Sequence, residues 1–199
     1  RPAGRPDVAE LNILDVGAGQ CAVLRTPGGR CVLLDGGTRG GFDAHAGVLQ
    51  PFLRVRRLPR IDEAFISHAN TDHYNAVGPL ICDGLERVYL TESFGADEPA
   101  GPVAEFMMLA KDRGAEVVRL SAGRRIDLDD RTSVEVLWPP AGAEGLSVND
   151  TSLVLRITCD GRSVLLTGDI TDVPQTALSA GADVRADVLV LPHHGSWRT

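Results

Sequence analysis

The segments Ser67-His68-Ala69-Asn70-Thr71-Asp72-His73-Tyr74-Asn75 and Pro192-His193-His194-Gly195-Ser196 hold four of the five histidines, with only His45 outside them. Between them stands Leu165-Leu166-Thr167-Gly168-Asp169. Each segment follows a short apolar run, so each is expected where a strand passes into a loop, the place α/β folds use for their sites. Imidazole and carboxylate together suit zinc, manganese or iron. A loop with His68, Asp72 and His73 can turn several ligands inward within a few residues, and the two oxygens of Asp169 can each hold an ion. A single histidine at a strand end more often caps a turn or satisfies the core. Four histidines and two aspartates at three strand ends point instead to a metal centre. The chemistry expected of it is hydrolysis by a water whose pKa an ion lowers. Few positive groups stand near these ligands in the sequence, so the ion is expected to supply the clamp on developing negative charge.

The elements that must position these residues can be read in outline. Residues 11–16, 21–26 and 30–35 have strand character, and Pro27-Gly28-Gly29 joins the last two as a hairpin. A glycine-rich loop with Gly36, Gly37, Gly40 and Gly41 follows. Residues 46–57 carry apolar side chains at helical spacing, with Pro51 in the first turn. Residues 64–67 form a short buried strand that ends at His68, and 75–81 starts a short helix. Strands are expected at 88–91, 116–120, 124–128 and 133–137, a helix at 103–113 closed by Gly114, and a loop at 141–148. Val188 to Leu191 reads as a buried strand. The hairpin of residues 22–35 resembles that of 153–166, and each is followed by a helical stretch and a strand that delivers histidine. Two similar halves imply two packed sheets flanked by helices, with the site between them.

Composition narrows the class. The chain has 199 residues, 43% hydrophobic and 24% charged, which fits one globular domain. We expect residues 1–10 to be a loose tail and 11–199 to form a single domain. No apolar run approaches the roughly 18 residues of a membrane span, so this segment is not expected to insert in a bilayer. The first residue is not Met, which suggests a piece of a longer chain. The net charge of -7 argues against gripping nucleic acid by charge alone, but not against an enzyme that holds one phosphodiester at a metal. Cys21, Cys31, Cys82 and Cys159 form no C-x-x-C pair, so a structural zinc knuckle is excluded and buried thiols are expected.

The pattern His68-x-Asn70-x-Asp72-His73 resembles the H-x-H-x-D-H signature of the metallo-β-lactamase superfamily. Further segments resemble the hydrolase-like domain of ComEC/Rec2 DNA-uptake proteins: Asp15-Val16-Gly17 with Gly19, Leu33-Leu34-Asp35-Gly36-Gly37, Val48-Leu49-Gln50-Pro51-Phe52-Leu53, Ile61-Asp62-Glu63-Ala64, Asn149-Asp150-Thr151-Ser152, Leu165 to Asp169, and Pro192 to Ser196. The resemblance spans residues 11 to 197 and is thinnest from 90 to 145. It implies an α/β fold, an αββα sandwich with metal at the sheet edge, incomplete after residue 199. It places His68 in a first metal site and Asp72, His73 and one of His193 or His194 in a second, with Asp169 bridging. Asp35 matches an aspartate that orients a ligand histidine, though it also suits a plain turn before Gly36-Gly37.

Asn70 departs from the pattern, since an amide oxygen is a weak ligand. Gln20, Cys21, Asn75 and Ala76 depart as well. The expectation is therefore one firm zinc or manganese site and a second, weaker one. The function the resemblance implies is a metal-dependent phosphodiesterase or nuclease acting on DNA during uptake, in an extracytoplasmic domain of a bacterial membrane protein whose other parts carry the membrane helices. Asp72 and Asp169 would hold the ion and help take the proton, while His68 and Asn70 steady the substrate or a weak second ion. A lactone or thioester hydrolase on the same fold, and a non-catalytic binding module, are the alternatives.

Overall fold

The computed structural model describes residues 4–58, 60–96 and 100–196. Two sheets face each other. The first holds β1 (Glu10–Ile13), β2 (Cys21–Arg25), β3 (Cys31–Gly36), β4 (Glu63–Phe65), β5 (Arg87–Thr91) and β6 (Glu116–Leu120) in chain order. Its first three strands are antiparallel, and β3 through β6 run parallel. The second has the order β11 (Val188–Val190), β10 (Arg162–Leu166), β9 (Val154–Cys159), β8 (Thr132–Trp138), β7 (Arg125–Asp127). It is antiparallel except for the β10–β11 pair.

Strand alternation divides the apolar residues between two cores. Ala22, Leu24, Val32, Leu34 and Phe65 meet Val134, Val136, Leu153, Leu155 and Leu166 between the sheets. The alternate residues Val23, Cys31, Leu33, Ala64 and Ile66 face helices. Both faces of β2 and β3 are thereby buried, as parallel-type sheets require. The helices on that side are α1 (Gln50–Arg56), α2 (Thr71–Tyr74), α3 (Val77–Cys82) and α4 (Pro102–Arg113). α4 buries Val103, Phe106 and Ala110 along one stripe and ends where Gly114 turns left-handed at φ 73°. α5 (Asp172–Gly181) covers the outer face of the second sheet, where its Leu178 and the preceding Ile170 pack with Val154 and Leu165. The layers therefore run helix, sheet, sheet, helix. None of the helices is long and apolar enough to cross a membrane among the described residues.

Several elements differ from expectation. The helix expected over 46–57 opens with a π-turn, His45–Leu49, before α1. The helix expected over 75–81 is α3, and a separate turn of helix before it, α2, takes in Asp72 and His73, which the sequence placed in a loop. The buried-type strand expected at 188–191 is β11, and among the described residues it pairs with β10 alone, so Val188 and Leu189 are half exposed.

This topology gathers the ends of four strands. β3 and β4 are parallel, so Asp35 lies beside the segment that carries Ser67 and His68. β10 and β11 are parallel, so Asp169 lies beside His193 and His194. Leu153 N–H donates to Ser67 C=O at 2.9 Å and ties the two sheets together at that edge.

Candidate metal centre

Each site residue leaves its strand at a constrained turn. Asp35 sits at φ 55°, a left-handed conformation that aspartate tolerates. From there its carboxylate accepts three hydrogen bonds: from Ser67 N–H (2.6 Å), Ser67 Oγ (2.8 Å) and His73 Nδ1 (2.9 Å). Gly168, at φ 54°, has no space for a side chain, since a Cβ would stand 2.7 Å from that of Ser152. This brings Asp169 N–H to Ser152 Oγ at 3.1 Å.

The hydrogen bonds assign the ring nitrogens. Ser67 donates to Asp35, so it accepts from His68 Nδ1 (2.9 Å). Ser152 donates to Asn149 C=O and also lies 3.2 Å from His68 Nδ1. His68 Nδ1 and His73 Nδ1 thus carry hydrogen in the neutral rings, and both Nε2 atoms present bare lone pairs. Those two Nε2 atoms and both oxygens of Asp169 are fully buried and lack a hydrogen-bond partner among the described residues. Four buried, unpartnered acceptors converging on one point are costly unless a cation sits among them. The donor set therefore fits a divalent ion, and its mixed imidazole–carboxylate character fits the metals named above.

Burial, aided by the neighbouring His73, pushes the pKa of His68 down to about 4, so it is a neutral ligand at pH 7. Burial also works against charge on His73, but Asp35 and Asp169 outweigh it and raise its pKa to about 10. Without an ion the pocket therefore favours a proton on His73 Nε2, facing Asp169, and a bound cation would have to displace that proton to gain the lone pair. Burial would raise the pKa of Asp169, yet His73, His68 and His194 hold it near 2. Asp169 is thus ionised in a pocket where only 1% of its surface is exposed.

Two groups of ligand atoms, each within 4.8 Å of one another, arise: His68, His73 and Asp169, and Asp72, His73 and His194. His73 is common to both, while Asp169 Oδ2 lies 3.4 Å from His73 Nε2 and 3.6 Å from His194 Nε2. His194, not His193, brings its ring to the cluster. The two residues take consecutive left-handed turns, at φ 49° and 56°, which separate their side chains. His193 belongs to neither group, and its backbone N–H donates to Gly168 C=O. Asn70 Nδ2 donates to Asn149 Oδ1 at 2.7 Å.

Four participants were not singled out from sequence. Ser67 and Ser152 set the histidine tautomers, and Asn149 engages Asn70. All three lay inside recognised segments, but a hydroxyl or amide carries no signal until its partner is known. The fourth is Arg39, whose Nε lies 2.8 Å from Asp72 Oδ2. Few positive groups were expected at the ligands, and one is found, because the glycine-rich loop folds back over α2 and carries a guanidinium to the site.

The family model for the metallo-beta-lactamase superfamily matches residues 14–199. ComE operon protein 3 of Bacillus subtilis (strain 168) is 27% identical over 202 residues, covering 94% of this chain and 25% of that protein. Competence protein ComA of Neisseria gonorrhoeae is 30% identical over 202 residues, covering 98% of this chain and 25% of that protein. The chain thus spans about a quarter of the length of these curated relatives. Among solved structures, the diiron β-hydroxylase CmlA from Streptomyces venezuelae superposes with a TM-score of 0.60 at 22% identity, over 90% of this chain and 34% of that one.

Proposed function

Since the chain belongs to the metallo-beta-lactamase superfamily, we propose that it is a metal-dependent phosphodiester hydrolase acting on DNA in the setting of DNA uptake, with residues 11–199 as its catalytic domain. The observation that carries this reading is the convergence of the buried, bare Nε2 atoms of His68 and His73 on the ionised Asp169. The similarity to two competence proteins supports the choice of DNA among the substrates this fold serves.

His68, His73 and Asp169 would hold one ion, and Asp72 and His194 would complete the other side. A bound divalent ion supplies an activated water and a positive charge against the phosphoryl oxygens. The chain's own residues do the rest. Asp35 and Ser67 keep Nδ1 of His73 protonated and its Nε2 free. Asp72, nearly buried and close to Arg39, is placed to receive the proton released when water attacks. The test is cleavage of single- and double-stranded DNA with added manganese, magnesium or zinc. Metal-dependent cleavage is expected, and a metal-loaded chain that cuts neither form nor a generic phosphodiester overturns the reading.

The metal count follows from Asn70. A firm ion is expected on Asp72, His73, Asp169 and His194, and a weaker one on the side of His68 and Asn70 with Asp169 shared, zinc or manganese being the candidates. Asn70, which stands where the family pattern has an imidazole, commits its Nδ2 to Asn149 Oδ1. Elemental analysis after dialysis should give closer to one ion per chain than two. Asn70→His should tighten binding of an added ion by roughly tenfold or more, since imidazole is much the better ligand. An isotherm unchanged by the substitution would show that residue 70 does not face a metal. The same amide pair favours a second reading, a module that binds DNA without cutting it, which the cleavage assay separates from the first.

A further inference from the structure

The loop after β3 lies directly on the backbone of the ligand-bearing turn. A Cβ on Gly37 would stand 2.4 Å from the carbonyl carbon of Asp72 and 2.6 Å from the nitrogen of His73. A Cβ on Gly19 would stand 2.4 Å from the Gly37 carbonyl oxygen and 2.9 Å from that of Asp72. Asn75 grips the next residue on both sides. Its Oδ1 accepts from Thr38 N–H (3.2 Å) and its Nδ2 donates to Thr38 C=O (2.7 Å). Arg39 N–H then donates to Ala18 C=O at 2.7 Å. The backbone that carries the Arg39 side chain is thus fixed relative to Asp72 and His73.

The guanidinium has two unlike edges. Its Nε lies 2.8 Å from Asp72 Oδ2, whose side chain is 3% exposed, whereas the Arg39 side chain is 62% exposed. Its two Nη groups have no partner among the described residues. Asp72 therefore anchors one edge, and the four N–H bonds of the other are left at the mouth of the candidate centre. Among the described residues, no other lysine or arginine pairs with Asp35, Asp72 or Asp169.

We propose that Arg39 is the anion-binding residue of this site, its Nη groups receiving a non-bridging oxygen pair of a phosphate-type substrate while Nε stays on Asp72. The substrate class rests on the phosphodiester reading above. A planar guanidinium matches two phosphoryl oxygens, and its anchored edge reduces the ordering cost of the contact. The net charge of -7 makes such a local cation necessary, since the surface as a whole repels a polyanion.

The experiment compares wild type, Arg39→Ala and Arg39→Lys, each loaded with one equivalent of zinc and titrated with inorganic phosphate in a calorimeter. Arg39→Ala should weaken phosphate binding by roughly ten- to a hundredfold, the range for one charge-assisted contact. Arg39→Lys should recover only part, because an ammonium cannot make the paired contact. Bound zinc should stay equal in all three. With bis(p-nitrophenyl) phosphate, KM should rise by a larger factor than kcat falls. Phosphate affinity unchanged in Arg39→Ala overturns the proposal, as does loss of zinc in step with phosphate, which would make Arg39 a support for Asp72 alone. If wild type binds phosphate through Arg39 but turns over no phosphodiester, the anion site stands and the hydrolase reading fails.

Discussion

Asp169→Asn is expected to leave a folded chain that retains no metal through dialysis and hydrolyses phosphodiesters about a thousandfold more slowly, or not at all. The carboxylate is 99% shielded, yet three imidazoles around it keep it ionised to about pH 2. Its charge is the only full negative charge in the group with His68 and His73. The amide has the same shape but removes that charge. Its NH2 would also donate to a bare Nε2 and occupy the space an ion needs. Backbone anchoring at Ser152 Oγ does not involve the side chain, so the fold should survive. Elemental analysis and steady-state rates on the same preparation check this. A variant that holds metal as firmly as wild type would remove Asp169 from the centre, whatever the substrate.

Asp35→Asn should cost roughly ten- to a hundredfold in metal affinity without touching a ligand atom. Three donors converge on the Asp35 carboxylate, two of them on Oδ2. An asparagine keeps one acceptor for Ser67 N–H and tolerates φ 55°, so backbone strain is not introduced. Its NH2, however, cannot accept from His73 Nδ1. His73 is then free to take the other tautomer, with hydrogen on Nε2, and that form cannot ligate. The buried donors left unpaired should also lower stability by about 1–3 kcal/mol. A zinc isotherm and a thermal melt of the metal-free chain separate the two effects. Unchanged affinity with a lowered melt would reduce Asp35 to a turn former.

Most residues of the candidate centre could be picked out in the sequence because they follow strands, where a short apolar run announces the segment that comes next. His68, Asp72, His73 and Asp169 were visible for that reason, and so was the hairpin before Asp35. The choice between His193 and His194 was not, since it depends on two successive left-handed turns that no local signal marks. Arg39 was hidden by its surroundings: a glycine-rich loop reads as a flexible turn, whereas Gly37 is there to let backbone meet backbone. Val188 to Leu191 read as a strand from its apolar run, but composition alone does not give its place in the sheet order. The four-residue helix α2 was missed because one turn is too short to show a helical period. Asn75 interrupts the helix while its side chain grips Thr38.

The division of the site between two sheets sets an order in time. A chain made from its N-terminus presents His68, Asp72 and His73 roughly a hundred residues before Asp169 and His194 exist. Until the second sheet docks, those early ligands lack the carboxylate that gives the pocket its charge, so a stray ion meets only a partial and solvated set. Firm capture waits for tertiary closure, because burial and ligand count arrive in the same step. Ion selection is thereby postponed to the finished cavity, where the shape of the pocket can discriminate among metals that an exposed loop would take in simple order of affinity.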